Sequence, residues 1–173
     1  NASVNGVANS IDLLASGLRG YTSLGSTIQL TASDILVSNP SSATALSSPG
    51  TSQGTLSISA ATLRFGENAL SVDGFQNLEM FASSGASIAS SGSFATNGDF
   101  LLATPSLTAA KATSYSLTST GDFELAKLPG TSAPSSGLGA TLSLSGSSVE
   151  IGTDILLPSG SLEVTASAGD IAI

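Results

Sequence analysis

Gly160 to Ile173, GSLEVTASAGDIAI, is the cleanest copy of a phrase that this chain rewrites along its length. Leu162, Val164 and Ala166 alternate with Glu163 and Thr165, a small polar corner follows at Gly169-Asp170, and a second short strand closes the phrase. Strict alternation over so few residues is the mark of a half-buried strand, because successive side chains point to opposite faces. Looser copies run from Gly25 to Val37 (GSTIQLTASDILV), Gly92 to Leu102 (GSFATNGDFLL) and Ser114 to Leu125 (SYSLTSTGDFEL). One such unit cannot bury its apolar side alone, so recurrence predicts an elongated stack of similar coils.

Gly-initiated copies begin at Gly25, Gly54, Gly92, Gly139 and Gly160, with weaker starts near Gln76 and Ser114. The starts lie about 16 to 29 residues apart and cluster near 21, inside the solenoid range. At that period the chain would make roughly eight coils and a rod near 40 Å long. The corners Gly98-Asp99 and Gly121-Asp122 occupy matching places and put Phe100 and Phe123 in equivalent positions. In a parallel stack those rings would lie one strand spacing apart, about 4.8 Å, and stack in the core.

The pattern apolar, Glu, apolar recurs at Leu78-Glu79-Met80, Phe123-Glu124-Leu125, Val149-Glu150-Ile151 and Leu162-Glu163-Val164. Ile28-Gln29-Leu30, Leu56-Ser57-Ile58 and Leu142-Ser143-Leu144 repeat it with neutral residues outside. Outward glutamates keep a flat strand surface soluble and discourage edge pairing. Like charges directly opposite on adjacent strands destabilise, so the four are expected mostly on different faces or non-adjacent coils. Helix is disfavoured, since Gly, Ser and Thr interrupt every candidate stretch.

The chain has 173 residues, 9% charged residues, 19 glycines and a net charge of −8. Disordered chains combine low hydrophobicity with high charge, and this one does neither. Cysteine, histidine and tryptophan are absent, which removes disulfides, thiolate sites and imidazole chemistry. A chain without cysteine also suits passage across a periplasm in the unfolded state. Only Arg19, Arg64, Lys111 and Lys127 are basic, so the footprint needed for nucleic acid or an anionic membrane is missing. Apolar runs such as Ile155-Leu156-Leu157 are strand-sized, far below a membrane span. The sequence opens without a methionine or signal peptide and stops inside a strand, as a piece of something longer would, with unprotected coil faces at both ends.

Residues 1–24 read as an irregular opening segment and first coil, in which Ser10 to Leu14 is strand-like. Residues 25–173 read as β-solenoid repeats. Two stretches break the rhythm, near 38–54 (SNPSSATALSSPGTSQG) and 128–139 (LPGTSAPSSGLG). Their proline, glycine and serine read as loops extruded from one rod, since the phrase resumes after each. Solenoid insertions often mark a binding face, which makes these loops the candidates for partner recognition. Tolerated surface insertion is the plainer alternative.

No catalytic, cofactor-binding or metal site is expected. Calcium-binding β-rolls need tandem Gly-Gly-x-Gly-x-Asp nonapeptides, which do not occur. Most of the seven aspartates, spread from Asp12 to Asp170, read as corner residues that hydrogen-bond their own backbone. Asp73 with Glu79 and Asp122 with Glu124 are the nearest acidic pairs, but a sugar-cleaving site also needs basic, metal or aromatic partners. Without histidine a Ser-His-Asp arrangement is impossible, and Lys111 has no nucleophile at helical spacing. Arg64, between Leu63 and Phe65, points outward by alternation. Asn1-Ala2-Ser3 matches an N-glycosylation acceptor, a tripeptide that also arises by chance.

The phrase Gly-Ser-Leu-x-apolar-x-Ala-x-Ala-Gly-Asp-Ile-x-apolar, at Gly160 to Ile173, is similar to the repeats of filamentous haemagglutinin-like adhesins, bacterial exoproteins exported by two-partner secretion. The resemblance spans roughly Gly25 to Ile173, sharply at the C-terminal end and loosely in the middle. It implies an all-β fold, a right-handed parallel β-helix of about 20–23 residues per coil. It also implies a secreted or cell-surface location and a role in adhesion, biofilm formation or toxin display. The family's N-terminal secretion signature is unmatched, since Asn39-Pro40 sits alone in a loop, and Arg19-Gly20 is followed by Tyr21 rather than aspartate. The expectation is an interior shaft segment, non-catalytic, joined to the rest of a longer chain. Its partners would be a host or matrix receptor or neighbouring adhesin chains. A carbohydrate-active β-helix fragment and a module of an extracellular filament or surface layer are the competing readings.

Overall fold

The computed structural model describes residues 7–20, 26–44, 53–131 and 137–173. Among the described residues there are strands and no helix, the strands lying in parallel sheets stacked as a β-solenoid of about six turns. In chain order the strands are β1 (Val7–Leu14), β2 (Gly17–Arg19), β3 (Thr27–Ser38), β4 (Thr55–Phe65), β5 (Asn68–Asp73), β6 (Asn77–Ile88), β7 (Gly92–Thr96) and β8 (Asp99–Thr104). They continue as β9 (Ser106–Ala109), β10 (Ser114–Ser119), β11 (Phe123–Lys127), β12 (Thr141–Gly146), β13 (Val149–Ile151), β14 (Asp154–Leu156), β15 (Ser161–Ala166) and β16 (Ile171–Ala172).

One sheet runs β1-β3-β4-β6-β8-β11-β13-β16, and the other runs β2-β5-β7-β10-β12-β15. Along the first, Thr55 lies over Asn77 and Asn77 over Asp99, steps of 22 residues, and Phe100 lies over Phe123, a step of 23. The steps from Thr27 to Thr55 (28) and from Phe123 to Val149 (26) are longer because each contains one of the inserted loops. Those insertions, and coils slightly longer than 21 residues, are why about six turns form where a bare period suggested eight.

The long strands bend. β6 pairs through residues 77–81 with β8 and through residues 86–88 with β9. Ala32, Ala60 and Ala82 lie over one another on the buried side of this corner, and the register slips by one residue just beyond Ala60. Small side chains suit the inside of a bend, and a bulge supplies the extra twist. In the next coil Pro105, which has no N–H to give the ladder, divides β8 from β9.

Each turn thus presents three strand stretches around one core. Inside are Ile58, Leu63, Leu70, Leu78, Met80, Ile88, Leu102, Leu117 and Leu144, none more than 2% exposed. The aromatic rings form a connected run: Phe65 to Phe94 at 5.4 Å, Phe94 to Phe100 at 5.5 Å and Phe100 to Phe123 at 5.1 Å between centroids. The anticipated Phe100–Phe123 stack is therefore present, in a tilted edge geometry that aromatic quadrupoles favour. Burial also pushes the Tyr115 hydroxyl, beside Phe65, to a higher pKa.

Two glycines serve the corners. Gly98 has φ of +137° and lies against the carbonyls of Phe75 and Gln76 in the coil before. Gly20 carries the ring of the buried Phe75, leaving no room for a Cβ.

Candidate functional site

Both loops leave the stack at a place where a strand is omitted. β2 pairs directly with β5, Leu18 over Val72, although a whole coil containing β3 lies between them in the chain. β9 likewise pairs directly with β14, Leu107 over Ile155, passing over the coil of β11. The local sequence explains both gaps. Carrying the register of Val37 over Phe65 forward would place Ser42 and Thr44 where Leu70 and Val72 point inward. Carrying Lys127 over Thr104 forward would put Pro129 in the ladder and Gly130 where Leu107 sits. Neither segment can supply the buried apolar side that a coil needs, so the neighbours close over it.

Polar pins hold the margins. Asn39 is 0% exposed; its Nδ2 donates to the Ala69 carbonyl at 2.7 Å and the Ala43 carbonyl at 2.8 Å, while Asn68 Nδ2 donates to the Asn39 carbonyl at 2.8 Å. At the second gap the Thr104 carbonyl accepts from Leu128 N–H at 3.1 Å and from Thr153 Oγ1 at 2.6 Å. Residues 45–52 of the first loop and 132–136 of the second lie outside the described residues, as do Asn1-Ala2-Ser3 and Tyr21.

The patterned glutamates fall mostly on different faces or non-adjacent coils, as expected, with one adjacent pair. Glu79, Leu101, Glu124, Glu150 and Ala172 form one outer column, in which Glu124 and Glu150 are direct partners on adjacent coils. Only Glu163, of the four patterned glutamates, stands on the other sheet. The register is dictated from inside, where Phe123 must cover Val149 and Leu125 must cover Ile151. Both glutamates are exposed, so water and salt screen a repulsion that burial would make prohibitive.

The aspartates lock coils to one another more than to their own turns. Asp99 Oδ1 accepts the Asp122 N–H at 3.0 Å, and Asp122 Oδ1 accepts Ser148 Oγ at 2.7 Å. Asp73 is the local case, accepting Gly74 N–H at 2.8 Å, and it is only 3% exposed with Arg19 at 3.5 Å. The structure leaves Asp73 and Glu79 on different sheets, while Asp122 lies exposed in the corner just before β11 and Glu124 lies exposed within β11. No group of three or more metal-ligating side chains converges among the described residues.

Arg64 points outward, as alternation predicts, and grips Asp34 of the coil before it. Nη2 meets Oδ2 at 2.5 Å and Nε meets Oδ1 at 3.2 Å, with Thr62 Oγ1 donating to the same carboxylate at 2.6 Å. The Arg64 guanidinium, then the Thr62 hydroxyl, hold the Asp34 carboxyl below the ordinary carboxylate range, and the pair raises Arg64 in turn. Lys127 pairs with Asp154 at 3.0 Å, and Lys111 is exposed in the turn after β9.

Two surface recesses are lined by described residues. One of about 180 Å³ lies among Ser71, Asp73, Thr96, Asn97 and Thr120. The other, about 290 Å³, lies between Thr31, Ser59, Phe81, Ser83 and Leu128 on the outside of the corner. Sequence reasoning missed the second, although Phe81 in Met80-Phe81-Ala82 was its signal: alternation puts that ring on the outer side.

These features define the class as a parallel β-solenoid with two omitted strands. Comparison of the chain with protein-family models, curated proteins and solved structures finds no match.

Proposed function

We propose that this chain is a non-catalytic shaft segment of a secreted or surface-attached bacterial adhesin or exoprotein of the filamentous haemagglutinin-like kind. The observation that carries the reading is the uninterrupted sheet from β1 to β16, stacked coil on coil over one apolar core. Such a stack holds a chain extended through local contacts alone, which is what a stalk requires. The recurring Gly-Ser-initiated phrase and the screened acidic outer column fit a rod exposed to solvent. Its partners would be a host-cell or matrix receptor or neighbouring adhesin chains, and not nucleic acid.

Labelling of intact producing cells with antibodies against this segment tests location. Signal on the surface or in the medium is the expected result, and signal confined to permeabilised cells would refute the proposal. Reproducible depolymerisation of a polysaccharide, abolished by Asp122→Asn, would transfer the chain to the carbohydrate-active class.

A further inference from the structure

Five of the six phenylalanines are no more than 4% exposed, and Phe81 is the exception. It stands on the outer side of β6, in one column with Thr31 of β3 and Ser59 of β4. That column lines the 290 Å³ recess together with Ala32, Ala60 and Ala61. Leu128 closes the recess from the other side, and its N–H is fixed to the Thr104 carbonyl at 3.1 Å. From there the second inserted loop crosses the corner, with Gly130 too close to Pro105 and the Ser83 carbonyl to carry a Cβ. The omitted strand therefore does more than shorten the sheet: the departing chain turns a flat flank into a groove.

We infer that this groove binds a neutral pyranose ring. The lining offers one aromatic face, small apolar side chains and the hydroxyls of Thr31, Ser59 and Ser83, with no charged side chain. Hydroxyls both donate and accept, which matches a ligand made of hydroxyls, and an aromatic face matches the C–H side of a sugar ring. The volume is at the lower end for small-ligand pockets, roughly 300 Å³, suited to one or two rings. A row on the same outer surface, Gln29, Ser57 and Glu79, lies one strand repeat away, about 6.6 Å. Gln29 and Glu79 supply an amide and a carboxylate at the rim, and the carboxylate disfavours sulfated or uronic sugars. An extended peptide is the poorer fit, since strand addition needs an unpaired edge and β3, β4 and β6 are paired on both sides. The inference stands apart from the shaft reading, which concerns where the chain is and not what its flank holds.

Saturation-transfer NMR on the purified chain tests it, with the methyl glycosides of glucose, galactose, mannose and N-acetylglucosamine and their β-linked disaccharides. A sulfated disaccharide and a Gly-Ser peptide serve as rival probes. At least one neutral sugar should receive saturation on its ring protons, with a Kd of about 1 mM. Phe81→Ala should weaken binding at least about tenfold with the β-sheet spectrum intact, and Phe81→Trp should preserve it. Ser59→Leu, which fills the groove from outside the core, should abolish binding as well. No transfer to any neutral sugar, binding indifferent to Phe81→Ala and Ser59→Leu, or preference for either rival probe would each overturn the inference.

Discussion

Asn39 Nδ2 donates to the Ala69 carbonyl at 2.7 Å, so an amide side chain occupies the ladder position from which a backbone strand is missing. The Ala69 carbonyl would otherwise face the gap left by the first inserted loop. Two residues further along β5, β2 takes over the pairing, with the Ser71 N–H bonded to the Ser16 carbonyl at 3.1 Å. One buried amide therefore spans the transition between two neighbours of the same strand.

Replacing Asn39 tests this directly. Asn39→Ala leaves the carbonyls of Ala69 and Ala43 without this donor inside the protein and should cost about 2–3 kcal/mol in urea unfolding. Asn39→Asp keeps the shape but removes the donor, and should cost at least as much. A loss below about 0.5 kcal/mol for both would show that the amide is not the pin.

The aromatic run should behave as a connected unit. Phe100→Ala is expected to cost about 3–5 kcal/mol, because the ring is 1% exposed and enclosed by Phe94 and Phe123. A double-mutant cycle between Phe100 and Phe123 should return a coupling of about 0.5–1.5 kcal/mol. Additive losses would mean that the two rings do not sense each other.

Acid should remove the Asp34–Arg64 contribution. The Asp34 pKa is depressed in the folded chain, so its stabilisation is fully present above the ordinary carboxylate pKa of 3.8. It is lost as pH falls through the folded value. The side chains are 32% and 42% exposed, which limits the pair to about 1 kcal/mol at most. Melting curves of the wild type and Asp34→Asn should differ near pH 6 and converge toward pH 2, at about those values. A gap independent of pH would assign the effect to packing.

Glu124 and Glu150 should oppose folding slightly. Glu124→Gln is expected to raise the melting temperature at low ionic strength, with the gain vanishing in about 1 M salt. A gain that persists in salt would point to strand propensity instead of charge.

Ala112 sits in the left-handed region at φ 54°, where its N–H donates to the Leu138 carbonyl at 3.0 Å. Ala112→Gly removes the Cβ penalty of that conformation, about 1 kcal/mol before the added freedom of the unfolded chain is subtracted. Thermal melting should show a rise of no more than about 2–4 °C, and a fall would show that this backbone is not strained.

Parallel strands, their period and the inward side of each were legible because alternation and corner chemistry are local. Leu78-Glu79-Met80 declares which way each residue points without knowing its neighbours. The Phe100–Phe123 stack followed from matching corners at Gly98-Asp99 and Gly121-Asp122. That Glu124 would face Glu150 was not legible, because it depends on how many residues each coil spends at its corners.

The sequence by itself determined that this chain is a stack of short parallel strands with an aliphatic interior, because a period of two and a repeat near one coil admit little else. Only the tertiary structure decided which coils omit a strand, which strands then meet across the gap, and that Glu124 faces Glu150. It also decided that the second loop departs beside Phe81 and closes a groove. Each of these depends on residues from different coils meeting in space, and the buried columns fix that register before any outer residue has a say.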